Sequence, residues 1–439
     1  MLRIITQQAD VRAELQRICD RTYDEQVLHK EATVREVLQA VKRQGDKAVL
    51  HYTNEFDHQT LKAEELRVTG SQLDAAYQQI SKDLLEAIRF ASRQIEAFHS
   101  QRVPKSWVHF GDDEVVLGKR YTPVDRAGLY IPGGRAAYPS VVLMHGIPAK
   151  VAGVPRIVMV TPPGAGKTIN PAVLVAAQEA GVQEIYRVGG AQSIAALAYG
   201  TETIPKVNII TGNGNIYVTL AKKLVNGIVG IDALSGPGEV LIIADDSANA
   251  LHVAADMLAK AECDPMAAAI LLTTDAGLAK NVQVALERQL VDHPRRIDTE
   301  KAIAHNGLIV IVESLKAAAE LANEFAPELM ELKVKDPWSL ISQIHHAGAI
   351  FLGHSTPGVV GDYLVGSNRT LPTSGAAQYT SGLSVETFLK HSSIVQCSQT
   401  ALHKVAEAID ILATAEGMPS RANSVRRQIQ EEKQLGNGD

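Results

Sequence analysis

The chain has 439 residues, 46% of them hydrophobic and 21% charged, with a net charge of −6 at pH 7. That length exceeds one ordinary core, so two or more domains are expected, and the composition is that of a globular protein. The mild acidic balance gives no electrostatic reason to expect nucleic acid or an anionic membrane as a partner, and no apolar run is long enough to span a bilayer.

The opening MLRIITQQADVRAELQRICD breaks every apolar stretch with charge, so neither a secretory leader nor a transit peptide is expected, and a cytoplasmic location is. Cys19, Cys263 and Cys397 are odd in number and scattered, which fits no disulfide framework and no paired-cysteine zinc motif. From about Thr33 the spacing of Val34, Val37, Leu38 and Val41 predicts a helix stopped by Gly45. Leu73, Ala76, Ile80, Leu84 and Ile88 predict a second, continuous helix over roughly Ser71 to His99.

Beyond Val115 the pattern changes. Short Val- and Ile-rich runs (GLYIP, RIVMVTPP, EIYRVGG, VLIIADD, AILLTT) alternate with helical stretches such as PAVLVAAQEAG. Strand-helix-strand units of this kind predict an α/β fold with parallel sheets and helices on both faces. Gly236-Pro237-Gly238 and the stretch from Thr373 to Ala376 are the best candidates for crossings between domains.

Thr161 to Thr168, reading TPPGAGKT, imitates a nucleotide-binding P-loop, with VLIIADD as its acidic strand. Thr161 stands where the first loop glycine belongs, and Asn170-Pro171 reads as an N-cap followed by a first-turn proline. A helix starting there leaves the loop amides too far back to cradle phosphates, so an NTPase is not expected.

Several blocks resemble histidinol dehydrogenases: GLYIPGGRAAYPSVVLMHGIPAKVAGV, IYRVGGAQSIAALAYGTETIP, GPGEVLIIAD, NEFAPE, GAIFLGHSTPGVVGDYLVGSN, LPTSGAAQYTSGLSV and AEGMPSRANSVRRQ. They run in unbroken order over most of the chain. The resemblance implies two incomplete Rossmann-like domains with small N- and C-terminal helical segments. It places an N-terminal segment at 1–24, a discontinuous first Rossmann-like domain at 25–129 with 239–383, and a second, NAD-binding one at 130–238. A C-terminal segment, 384–439, would complete the partner's site in an intertwined homodimer. The family oxidises L-histidinol through the aldehyde to L-histidine in two NAD-dependent steps, with a zinc ion that holds substrate and a Glu-His pair that moves protons.

The family's NAD-contact positions fall on Tyr130, Gln192 and Asn215, and all three residue types match, although Asn213 stands where the family has proline. The chemical positions differ. The four zinc-ligand positions map onto Lys260, Cys263, Asp362 and Arg421, and the Glu-His pair onto Glu328 and Leu329. A substrate-contacting histidine becomes Arg369, a serine becomes Gly238, and Glu416 is kept. Ammonium and guanidinium groups offer no lone pair, so zinc is not expected at the inherited position.

Lys260, Arg369 and Arg421 can pair in any combination with Asp362, Glu328 and Glu416 and fill the site with salt bridges, or converge on an anionic ligand group. Cys263 is a site-lining residue on either view, and nucleophilic only if its thiol ionises. Three functions stay open: an NAD-linked alcohol or aldehyde dehydrogenase with an altered, anionic substrate; a paralogue that has lost turnover and serves binding or regulation; and a histidinol dehydrogenase of L-histidine biosynthesis. Glu328 is the expected catalytic group of the first.

Overall fold

A computed structural model describes residues 3–5, 8–22, 26–101, 103–133, 137–234, 236–363 and 366–435. In chain order its strands are β1 (Arg3–Ile5), β2 (Trp107–Phe110), β3 (Val116–Pro123), β4 (Arg126–Tyr130), β5 (Arg156–Thr161), β6 (Glu184–Arg187) and β7 (Ile209–Thr211). They continue with β8 (Gly230–Ile231), β9 (Glu239–Ala244), β10 (Ala268–Thr273), β11 (Gly307–Ile311), β12 (Leu329–Lys333), β13 (Ala349–Leu352) and β14 (Leu389–Gln396). Each apolar run singled out in the sequence after Val115 is one of these strands.

Contacts divide the chain into two units, Met1–Val103 with Val124–Phe388, and Pro104–Pro123 with Leu389–Asp439. The first holds two parallel sheets. One runs β6-β5-β4-β7-β8, the other β1-β11-β10-β9-β12-β13. Apart from the edge strand β1, both have the same winding: the first strand sits in the middle, the next two extend to one side, and the last two to the other. Such an order leaves a crevice at the carboxyl ends beside the middle strand, where neighbouring connections depart in opposite directions. The inner strands β5, β9 and β10 are buried on both faces, which is why they read as continuous apolar runs instead of alternating ones.

On one face of the five-stranded sheet, helices Gln26–Gln44, Asp46–Asp57, Gly190–Tyr199 and Ile216–Val225 share a core with Tyr130, Val158, Val160 and Ile210. Strand alternation turns Leu129 to the other face, toward Gly146 of helix Pro139–Val151. Gly45, at φ 54°, ends its helix as the sequence predicts. Helix Pro171–Glu179 also starts as predicted, with Asn170 Oδ1 accepting from Ala172 N–H at 2.9 Å. The P-loop imitation is a short 3-10 turn whose Lys167 pairs with Glu65 at 2.9 Å.

The continuous helix expected from Ser71 to His99 is two helices, Gly70–Gln79 and Lys82–Ser100. Ile80 turns extended and Ser81 Oγ caps the second by accepting from Leu84 N–H at 3.1 Å. The apolar spacing runs through the break because both helices present the same stripe, so only the Ser81-Lys82-Asp83 cap betrays it. In the second unit β14 pairs antiparallel with β3, and β3 with β2, followed by helices Gln399–Ala415 and Pro419–Leu435. Periodicity did not reveal β14, because LKHSSIVQ lies mostly exposed and lacks an apolar alternation.

Candidate functional site

Two groups of side chains meet the chemistry proposed from sequence, and the winding of the sheets places both. The first stands at the carboxyl ends of the five-stranded sheet. Tyr130 closes β4, Gln192 lies in the first turn of the helix that follows β6, and Asn215 caps the helix that follows β7. Gly190 N–H donates to the Tyr130 hydroxyl, whose pKa burial drives far up. Asn215 Oδ1 accepts from Tyr217 and Val218 N–H at 3.1 and 3.2 Å, and so fixes the turn. Gln192 is fully buried, yet neither atom of its amide has a partner, and Asn213 Oδ1 is likewise unmatched. Unpaired buried amides are costly, and one at a crevice marks a place for a ligand's polar groups. Behind the loop, Lys222 Nζ pairs with Asp232 and donates to Gly212 O at 2.8 Å, while Asp232 Oδ2 accepts from Gly212 N–H at 2.8 Å.

The second group stands at the amino ends of β9 and β12. Gly238 and Glu328 immediately precede these strands, and helix Ala250–Ala261 runs back from the carboxyl end of β9, delivering Lys260 beside them. Lys260 Nζ lies 3.2 Å from Glu328 Oε2, which also accepts from Glu239 N–H at 2.7 Å. A Cβ at position 238 would come within 3.0 Å of Lys260 Cδ and 3.3 Å of Glu328 Oε2, so glycine there makes room for the lysine. Burial alone would lower the Lys260 pKa, but Glu328, Asp362 and Cys263 outweigh it and hold it above the ordinary lysine value. Leu329 and Asp362 line the same narrow cleft as Lys260.

Arg369 Nε is 3.7 Å from Asp362 Oδ1, beyond hydrogen-bond reach, and the guanidinium makes no hydrogen bond among the described residues. Cys263 is exposed and donates to Ala259 O at 3.6 Å. Its thiol pKa is nevertheless raised, first by desolvation and then by Asp362 and Glu328, against the pull of Lys260 and Arg369. Glu416 and Arg421 belong to the second unit, where they form an exposed pair at 3.2 Å. Each of the three cations therefore faces one of the three retained acids, but of the three only Arg369 makes no hydrogen bond among the described residues.

Sequence reasoning missed two features beside this cleft. Glu331 and Lys333 share one face of β12, where Lys333 Nζ lies 3.1 Å from Glu331 and 2.8 Å from Asp256. Burial and then Asp256 push the Glu331 carboxyl up to about 7. Charges two apart in a strand otherwise buried on both faces are the signal that could have found them. The other is His145. Its Nδ1 lies 3.0 Å from Thr211 Oγ1 at the end of β7, and its Nε2 2.8 Å from Thr370 Oγ1. Asn368 Nδ2 donates to Met144 O at 2.6 Å, so two consecutive residues of one helix hold the segment that carries Arg369. Burial, with Lys222 and Arg369 adding, takes the His145 pKa down to about 3, leaving a neutral ring.

Two parallel sheets with flanking helices and a switch point at each middle strand make a Rossmann-like α/β fold, of the kind on which dinucleotide-dependent enzymes are built. The family model "Histidinol dehydrogenase" matches residues 20–429. The chain is 82% identical over 433 residues to "Histidinol dehydrogenase 2" of Trichormus variabilis, covering 99% of this chain and 100% of that one. It is 67% identical over 426 residues to "Histidinol dehydrogenase" of a Synechococcus species, covering 97% and 98%. The crystal structure of histidinol dehydrogenase from Elizabethkingia anophelis superposes with a TM-score of 0.92 at 34% identity, covering 98% of each chain. The chain belongs to the histidinol dehydrogenase family. No helix among the described residues is long and apolar enough to cross a membrane.

Proposed function

We propose that the chain is an NAD-linked oxidoreductase that oxidises an alcohol or aldehyde bearing an anionic group, with Lys260 holding the reacting oxygen where the family uses a metal. One observation carries this reading: an ammonium paired with a carboxylate in a cleft shared with Asp362, whose other neighbour is a guanidinium with unused donors. The donor set does not suit zinc. Lys260 has no lone pair to give, the Cys263 thiol resists ionisation, and Asp362 alone is a ready ligand. No step is routed through a metal.

The first sheet suits a dinucleotide: the unpartnered Gln192 amide, Asn213 and the capped Asn215 turn would hold it at the crevice. NAD, when bound, supplies the hydride acceptor. Lys260 donates a hydrogen bond to the substrate oxygen and steadies the negative charge that builds there as the hydroxyl proton is removed, before the hydride departs. Glu328, held by Lys260 and the Glu239 N–H, receives the hydroxyl proton. Arg369 turns its fork to the substrate's anionic group.

The test is NADH formation by the purified protein with small hydroxy acids and phosphorylated alcohols, against L-histidinol, for parent, Lys260→Met and Arg369→Ala. Turnover of an anionic alcohol, with kcat lost in Lys260→Met and KM raised in Arg369→Ala, is expected. A second reading, oxidation of L-histidinol itself, is favoured by the names of the relatives at 82% and 67% identity, and a faster rate with L-histidinol would select it. No turnover with either class would leave the binding or regulatory role.

A homodimer belongs to the same proposal. Trp107, Phe110, Val395, Ile411 and Leu412 of the second unit are each more than half exposed, an apolar surface that a second copy would cover. A monodisperse monomer in light scattering at micromolar concentration would refute it.

A further inference from the structure

Asp57 ends its helix with a carboxylate that is unmatched by any donor among the described residues, and its Oδ2 is buried. Its position follows from the packing of two helices. Helix Asp46–Asp57 begins beside the C-terminal end of helix Gly190–Tyr199, where Asp46 binds Thr203 and its N–H donates to Glu202 at 2.7 Å. The two helices pack against one core, and since the Asp57 charge acts on the Tyr130 hydroxyl that Gly190 N–H binds, the end of one lies near the start of the other. At 1.5 Å per residue they are of similar length, about 18 and 15 Å. Asp57 therefore arrives level with Gly190 and Gln192, at the carboxyl ends of the strands.

The next residues confirm that level. Gln59 Oε1 accepts from Lys167 N–H at 3.3 Å, in the loop that leaves the carboxyl end of β5. The charge of Asp57 also reaches the Tyr130 hydroxyl, which Gly190 N–H binds. Asp57, Tyr130 and the unpartnered amide of Gln192 thus surround one end of the crevice, all on the same face of the sheet. The chain joining His145 to Thr370 and Arg369 runs from the opposite face. A dinucleotide crossing this edge with its reactive ring toward Arg369 would leave its adenosine on the Asp57 side.

We infer that Asp57 selects the nucleotide: its carboxylate accepts from the 2′- and 3′-hydroxyls of the adenosine ribose, and it repels a 2′-phosphate, so that NAD binds and NADP does not. The inference rests on the dinucleotide reading above. A ribose diol supplies the two donors that this carboxylate lacks, and carboxylates serve that purpose in other Rossmann-like sites. Without such donors burial pushes the Asp57 carboxyl up to about 6, against the pull of His58, as expected for an acid with nothing to pair with. A dianionic phosphate in the same place would meet a like charge of low solvation.

Calorimetric titration of NAD and of NADP into the full chain, for parent, Asp57→Asn and Asp57→Ser, tests this without any substrate. The parent should bind NAD at least tenfold more tightly than NADP. Both variants should melt like the parent, lose tenfold or more in NAD affinity, and bind NADP as well as NAD. Variants that keep the parent's NAD affinity and its preference would overturn the role of Asp57 while leaving the dinucleotide site standing. A parent that binds neither nucleotide at millimolar concentration would overturn the site itself, and the inference with it.

Discussion

Replacing His145 with leucine tests the buried link between the two halves of the first unit. The imidazole is fully buried, as are the hydroxyl-bearing Thr211 and Thr370 on either side. Leucine is of similar bulk but leaves two buried hydroxyls without a partner, each costing about 1–2 kcal/mol, so His145→Leu should lose about 2–4 kcal/mol at pH 7.5. Acid changes the comparison. The folded pKa of about 3 lies below an unfolded value near 6.5, so the unfolded chain takes up the proton more readily. The neutral ring's contribution is complete above about pH 6.5 and drains as pH falls toward 3, at about 1.4 kcal/mol per unit. Between pH 6.5 and 5 the parent should lose about 2 kcal/mol through this group, and the leucine variant none of it. Urea unfolding followed by circular dichroism at pH 7.5, 6.5 and 5 therefore should show the gap between the two proteins shrinking toward acid. A gap constant across that range would refute the buried neutral histidine.

Lys222→Met strands the buried Asp232 carboxylate and frees the Gly212 turn. It should cost about 3–5 kcal/mol in urea unfolding and weaken NAD binding in the same preparation, and a variant as stable as the parent would count against the clip. Gly238→Ala puts a methyl group within 3.0 Å of Lys260 Cδ. Because the lysine can give way, a loss of stability of only about 1 kcal/mol is expected beside a much larger loss of turnover, read from melting and from kcat. Cys263, although exposed, should react with iodoacetamide at pH 7 more slowly than free glutathione, as timed by mass spectrometry of the labelled peptide.

The fold was legible because buried parallel strands leave an unmistakable trace: VLIIAD and AILLT have no polar face, and each is bounded by a cap or a turn. What escaped was local. Ile80 continues an apolar stripe across a helix break, and LKHSSIVQ forms a strand with almost nothing buried. The site was legible only through motif blocks, which carry residue types into register but not distances. They gathered Lys260, Arg369 and Arg421 with Asp362, Glu328 and Glu416, and they could not say that Lys260 bonds to Glu328 while Arg369 stays beyond bonding reach of Asp362. His145 and Asp57 escaped for a different reason. A histidine within LMHGIPAK and an aspartate within NEFDHQ resemble a chance polar residue and a helix end until packing of distant segments gives them neighbours.

The winding of the two sheets also sets an order of assembly. All five strands of the first sheet lie between residues 126 and 231, so it can pair fully before any of β9 to β13 has left the ribosome. The other sheet is edged by β1, whose Ile4 pairs with Ile309, more than 300 positions away. The earliest strand synthesised is thus among the last to find its place, and the entropy of closing so large a loop falls on the second sheet alone. That β1 is only three residues long keeps this wait safe, for so short an edge offers little to a neighbouring nascent chain.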